Sequence, residues 1–272
     1  MAIKTGKIGL KGLAIQSTAE FLGSAIYMYL AIGGANAVGI GLPPGAASLA
    51  QGFAFGLSLV SVSWVFYRMS GGMFNPAIAF SSFITGHLSF VKLVAYFFAQ
   101  ILGSMLGVAC VRGTTPSSEH YNQVNHLLNG EGIARAFFLE CFLTTILCFV
   151  YHIVAHEKNR STFIVAIPYG FTVFACHVFA TRYDNTALNP ARAFATSVVF
   201  RWFTRDHWIF WFGPLCGSIL AAALHILFRI LNFDRHSAGI DAENDIQYTR
   251  ARAAYRGEEA YRGEEAPRNH TK

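Results

Sequence analysis

Charge is what this sequence has least of. Only 13% of its 272 residues are Asp, Glu, Lys or Arg, against about 25% in an ordinary soluble domain. Hydrophobic residues make up 53%, and the mean hydropathy is +0.39. A water-soluble globule is excluded, and the length admits six or seven membrane spans of about 20 residues with their loops. The charge that exists is concentrated at the two ends, with a net of +6. No basic run is interleaved with aromatics, so no nucleic-acid partner is expected. Cysteine is sparse and odd in number. Cys110, Cys141, Cys148, Cys176 and Cys216 all fall in apolar runs and read as small packed hydrophobes, with no disulfide. The first apolar run is long and holds no obvious cleavage site, so no cleavable signal peptide is expected. Nor is any cofactor or metal.

What the sequence does have is a doubled motif. Asn75-Pro76-Ala77 returns as Asn189-Pro190-Ala191, followed by Arg192. Asn caps free N–H groups, and Pro at the first helical position loses no hydrogen bond, so each copy predicts a helix start. The apolar runs behind them, Ala77–Thr85 and Ala191–Trp202, are too short to span. At 1.5 Å per residue the first covers roughly half a bilayer.

Six full spans surround these runs: about Leu13–Ile32, Ser48–Tyr67, Phe90–Val111, Ile133–Val154, Phe163–Ala180 and Trp208–Leu231. Lys4, Lys7 and Lys11 precede the first, and the loop Gly33–Ala47 carries no charge, so the N-terminus is expected in the cytoplasm. Six spans return the C-terminus to that side. Three regions follow: a cytoplasmic N-terminus at 1–12; a channel-like domain at 13–231, with halves of about 13–111 and 133–231 joined by 112–132; and a tail at 232–272. The tail repeats Ala-Tyr-Arg-Gly-Glu-Glu at 254–259 and 260–265 and is expected to be disordered. The sequons at Asn159 and Asn269 fall on the cytoplasmic side and should carry no glycan.

The halves resemble each other. Each opens with a span holding one acid, Glu20 or Glu140, and each places Asn-Pro-Ala after its second span. Three spans per half force opposite orientations, an inverted repeat. The two short helices then meet near the midplane, where irregular backbone survives only in protein or beside a cavity. Either acid could accept N–H bonds from the loop entering a short helix, or carry protons in a transporter. The first role is the expectation here.

These residues resemble the aquaporin, or major intrinsic protein, family. Gly72–Ala77 and Leu188–Arg192 are similar to its two signature loops. Phe53–Ser58, Trp208–Trp211 and Gly213-Pro214 are similar to its second and sixth spans. The resemblance covers about 13–231. It implies an all-α hourglass of six transmembrane helices and two re-entrant half-helices, embedded in a lipid bilayer, with a pore in each subunit of a homotetramer. It also implies a plasma-membrane channel rather than an enzyme. Matched by spacing to the motifs, the family's selectivity filter falls on Phe55, His177, Thr186 and Arg192. Arg192 brings fixed donors and a permanent charge, His177 narrows the ring, and Phe55 walls the other side. Such a ring favours water over glycerol. Glycerol-conducting relatives usually have a smaller residue for the His and an Asp after the Arg, where this chain has Ala193. Asn75 and Asn189 would each donate to a passing water while two positive helix ends repel cations.

Several details stand apart. Thr186 sits where many relatives place a mercury-sensitive Cys, so mercury inhibition at this site should be weak. Asp184 could bind Arg182 or Arg192, or be solvated. His152 and His156, near the cytoplasmic loop, could sense pH, although exposed loop histidines rarely do. The competing functions are a glycerol or small-solute channel, a proton-coupled transporter using Glu20 or Glu140, and a structural junction protein.

Overall fold

A computed structural model describes residues 9–38, 42–116, 123–128, 130–157 and 164–233. Lys4, Lys7, the tail repeat and the sequons at Asn159 and Asn269 lie outside the described residues. Among the described residues the regular structure is helical: α1 (Leu10–Val38), α2 (Pro44–Ser70), α3 (Pro76–Ile84), α4 (Phe90–Thr114), α5 (Ile133–Tyr151), α6 (Ala166–Asp184), α7 (Pro190–Phe200) and α8 (Ile209–Ile230). A π-helical turn, His152–His156, extends α5. Five of these helices are long and apolar enough to cross a membrane. The sixth, α6, holds the place in its half that α2 holds in the first. The short helices α3 and α7 have 9 and 11 residues. The result is an aquaporin-like hourglass built from two inverted halves.

α1 outruns its sequence-expected span because Gly33-Gly34 reads as a loop but is helical, and α2 runs from Pro44 to Ser70 rather than from Ser48 to Tyr67. A Cβ on Gly34 would lie 3.1 Å from the Ala54 side chain, so its lack of one lets α1 lean on α2. Small residues set the other helix contacts too, as expected where lipid offers helices no hydrophobic reason to associate. α1 packs on α4, α2 on α6, and α5 on α8. A Cβ on Gly103 would meet the Phe21 carbonyl oxygen at 2.1 Å, and one on Gly217 the Cys141 oxygen at 2.4 Å. Three of the five cysteines are buried as expected. Cys110 is exposed on α4 and Cys216 half-buried, because an apolar run in a membrane protein has a lipid-facing side as well as a core side.

Polar bonds pin α3 to α8. Ser218 Oγ donates to the Ala77 carbonyl at 2.7 Å or to Pro214 O at 2.9 Å, the carbonyl one turn back. Ser81 Oγ donates to Ser218 O at 3.0 Å. Pro214 lies inside α8; having no N–H, it leaves the Phe210 carbonyl without its usual helical partner.

Gly103→Val should overpack the α1–α4 contact and cost about 1–3 kcal/mol. Gly113→Ala, on the same helix with nothing within 4 Å of its Cβ, should be neutral. Thermal melting of the detergent-solubilised protein separates the two.

Candidate functional site

The two Asn-Pro starts meet in the middle of the molecule. Asn75 Oδ1 accepts from Ala77 N at 2.9 Å, and Asn189 Oδ1 accepts from Ala191 N at 2.9 Å and Arg192 N at 3.4 Å. Each side chain therefore caps its own helix, as Asn does at this position. Each amide nitrogen crosses to the other half. Asn75 Nδ2 donates to Leu188 O at 2.9 Å, and Asn189 Nδ2 donates to Phe74 O at 2.9 Å. An amide nitrogen has two hydrogens, so each Asn keeps one N–H in hand.

The crossing needs an unusual backbone. Phe74 and Leu188, the residues before each Asn, have φ of +48° and +54°. Bulky residues rarely adopt this conformation, which persists only where the surroundings over-determine it. Here the buried acids do so. Glu20 accepts from Met73 N at 3.1 Å and Phe74 N at 2.8 Å. Glu140 accepts from Ala187 N at 2.6 Å and Leu188 N at 2.7 Å. Glu20 also takes bonds from Ser70 Oγ and Gln100 Nε2, at 2.5 and 2.8 Å. Both carboxylates are spent holding loops and face backbone donors. Tyr169 Oη adds a bond to Met73 O at 2.6 Å.

Of the residues assigned to the filter by spacing, Phe55, His177 and Arg192 come together on the α7 side of this junction, and Thr186 lies in the loop that leads into α7. The rings of Phe55 and His177 stack, with centroids 4.1 Å apart and planes at 22°. The Arg192 guanidinium carbon lies 5.0 Å from the Phe55 centroid. Thr186 follows Asn185, whose carbonyl accepts from Arg192 Nη2 at 2.8 Å. All four side chains are buried. His177 Nδ1 donates to Val173 O at 2.9 Å; a carbonyl partner requires the hydrogen there, which makes Nε2 an acceptor. Nε2 of His177 and Nε of Arg192 are both buried without a protein partner. One orphan acceptor and one orphan donor thus border the same phenyl ring.

One part of this site carried no sequence signal. Asn125, in the segment joining the halves, accepts from Arg192 Nη1 through Oδ1. Its Nδ2 donates to the Asp184 and Asn185 carbonyls at 3.3 and 3.1 Å. It is fully buried, yet lies in a polar stretch that reads as a surface link. Of the roles left open for Asp184, solvation is excluded, because it is buried. Its Oδ1 accepts from Thr186 N at 2.9 Å. It folds back on its own loop, supporting Thr186 at φ +42°. His152 also departs from expectation: it is fully buried rather than an exposed loop residue.

The comparisons with known proteins agree on the fold. The family described as "Major intrinsic protein" matches residues 11–225. An aquaporin of Laccaria bicolor is 36% identical over 217 residues, covering 77% of this chain and 69% of that one. "Aquaporin-7" of Botryotinia fuckeliana is 34% identical over 240 residues. The match takes in 84% of this chain but 52% of the relative, so the chain spans about half that protein's length. The solved aquaglyceroporin of Plasmodium falciparum superposes with a TM-score of 0.70 at 21% identity, over 81% of this chain and 99% of that one.

Glu140→Ala would leave two buried N–H groups unpartnered, at about 1–3 kcal/mol each. It should lower the melting temperature far more than Glu140→Gln, which retains one acceptor oxygen. Equal melting of the two variants would mean that the loop does not depend on these bonds.

Proposed function

We propose that this chain, which belongs to the major intrinsic protein family of membrane channels, conducts water passively in single file and excludes protons and ions. The observation that carries this reading is the pair of orphan nitrogens at Phe55. Water both donates and accepts. A water between His177 Nε2 and Arg192 Nε satisfies an acceptor and a donor that no protein group satisfies, while Phe55 denies it further partners. Phe55 offers the several hydroxyls of a glycerol no partner on its side of the site.

Asn75 and Asn189 then hand the water on. Each has one N–H engaged across the junction and one to offer. A water accepting from both turns its own hydrogens outward in opposite directions, which breaks a proton wire at that point. The positive ends of α3 and α7 and the fixed charge of Arg192 add a barrier to cations. The reaction involves no covalent change, so the protein is not an enzyme.

The filter in this reading is Phe55, His177, Thr186 and Arg192, with Asn125 holding the arginine. The halves 13–111 and 133–231 form the channel domain. The basic residues at the start of the chain support a cytoplasmic N-terminus. The family resemblance supports a homotetramer in the plasma membrane.

Stopped-flow light scattering of proteoliposomes tests this. Wild type should pass water fast and glycerol at the empty-liposome rate. His177→Ala should gain glycerol leak, and Arg192→Val should gain both glycerol and cation leak. Rapid glycerol entry in wild type would transfer the assignment to a small-solute channel. Asn125→Ala frees the guanidinium and should raise solute leak less than Arg192→Val does.

A further inference from the structure

The outer flank of the Asn-Pro junction carries a groove with a volume of about 320 Å³, whose lining includes neither asparagine nor any filter residue. α3 and α7 contribute Pro76 and Pro190, the first residue of each half-helix. α4 contributes Leu93, Val94 and Phe98, and α8 contributes Trp211. We propose that this groove binds one acyl chain of a bilayer phospholipid, with the end of the chain packed against the first residues of both half-helices. The proposal does not depend on which solute the pore conducts.

The chemistry of the walls selects an apolar occupant. They are built from proline, leucine, valine, phenylalanine and tryptophan side chains. The one polar side-chain atom among them is engaged, because Trp211 Nε1 donates to His207 Nε2 at 3.1 Å. The indole is held in place by Phe194 and Phe97, whose ring centroids lie 5.7 and 6.4 Å from its own. A buried water needs two to four polar partners and finds none on these side chains, so the groove is not a second water path. A hydroxylated or charged ligand would be left unpaired in the same way.

Depth and size select a lipid chain. The half-helices begin near the midplane. Phe80, also in the lining, is one turn along α3, and Leu93 is one turn into α4, so the groove lies in the half of the bilayer that α3 crosses. A chain anchored in that leaflet ends at the midplane, where Pro76 and Pro190 sit. At about 30 Å³ for a group the size of a water or a methylene, the groove holds the distal part of one chain, about ten CH₂ groups. Val94 and Phe98 are exposed and continue along α4 into Val91 and Leu102, exposed as well. Their spacing of three and four residues makes one helix face, so the groove opens onto a stripe already turned to lipid. A helix of a second copy, about 10–12 Å across, is too wide to enter, and the fused rings of a sterol are too wide and too stiff.

Lipid gives a chain no hydrophobic reason to prefer this place. The reason is contact: walls that face a void lose their dispersion partners outright, and a flexible chain restores them where rigid helices leave a gap. The proline rings suit this role. Proline has no N–H to satisfy, so each half-helix begins with an apolar ring on the residue after its asparagine. The crossed amides hold the junction from within, and the chain backs it from outside.

Trp211 reports on the groove directly. The chain has four tryptophans, so the full chain carrying Trp64→Phe, Trp202→Phe and Trp208→Phe keeps Trp211 as its sole fluorophore. It is reconstituted in phosphatidylcholine mixed with the same lipid brominated along its chains, since bromine quenches indole on contact. One chain site predicts that quenching rises in direct proportion to the brominated fraction. Bromine in the distal half of the chain should quench more than bromine near the headgroup. Val94→Phe at the mouth and Leu93→Phe further in fill the groove and should each remove at least half of the quenching, with circular dichroism showing that they fold. A steep curve, in which any of several lipids suffices, would mean ordinary annular contact and overturns the site. No quenching at any depth would mean that a second copy or another protein covers the groove, and relief of quenching by added cholesterol would make the occupant a sterol. Either result overturns the proposal, as does undiminished quenching in both filled variants.

Discussion

Two hydrogen bonds at the centre hold the architecture together: Asn75 Nδ2 to Leu188 O and Asn189 Nδ2 to Phe74 O. Each half supplies a donor to the other half and accepts one back. They bring two half-helices nose to nose at membrane depth, where bare backbone is otherwise intolerable. The exchange works only because Phe74 and Leu188 turn their carbonyls into it with positive φ. Neither residue would hold that conformation alone, and Glu20 and Glu140 clamp the N–H groups on either side. A carboxylate inside a membrane is costly, and here its cost is offset by two to four donors apiece.

That arrangement then dictates the chemistry. Each Asn is left with one N–H at the positive end of its own helix. Beyond them Arg192 leaves α7 one turn after its cap and is steered by Asn125 and Asn185 across the face of Phe55. His177, anchored to Val173, stacks on that phenyl ring. The site is thus a continuation of helix capping, and its unpaired nitrogens follow from how few protein groups reach that depth.

Much of this was legible in the sequence. Six apolar runs, two short ones and the doubled Asn-Pro-Ala fix the inverted architecture through length and capping alone. The acids could be placed, since a lone Glu in each first span has few other uses. What escaped reading depends on contacts distant in sequence. Asn125 lies in a polar connection and gains its role only because that segment straps across the α6–α7 loop. Asp184 stayed open between an arginine partner and solvent because a local side-chain-to-backbone bond leaves no trace in composition. Gly33-Gly34 read as a loop because helix–helix closeness, not helix propensity, keeps those glycines helical.

The central claim is that the crossed asparagines hold two free N–H groups on one water. A structure of the full chain in a lipid bilayer, at a resolution that shows ordered water, tests it most directly. The account predicts a single file of water through the subunit, with one molecule within hydrogen-bond distance of both Asn75 Nδ2 and Asn189 Nδ2, and another between His177 and Arg192. A dry junction, or asparagine amides turned away from each other's carbonyls, would contradict it.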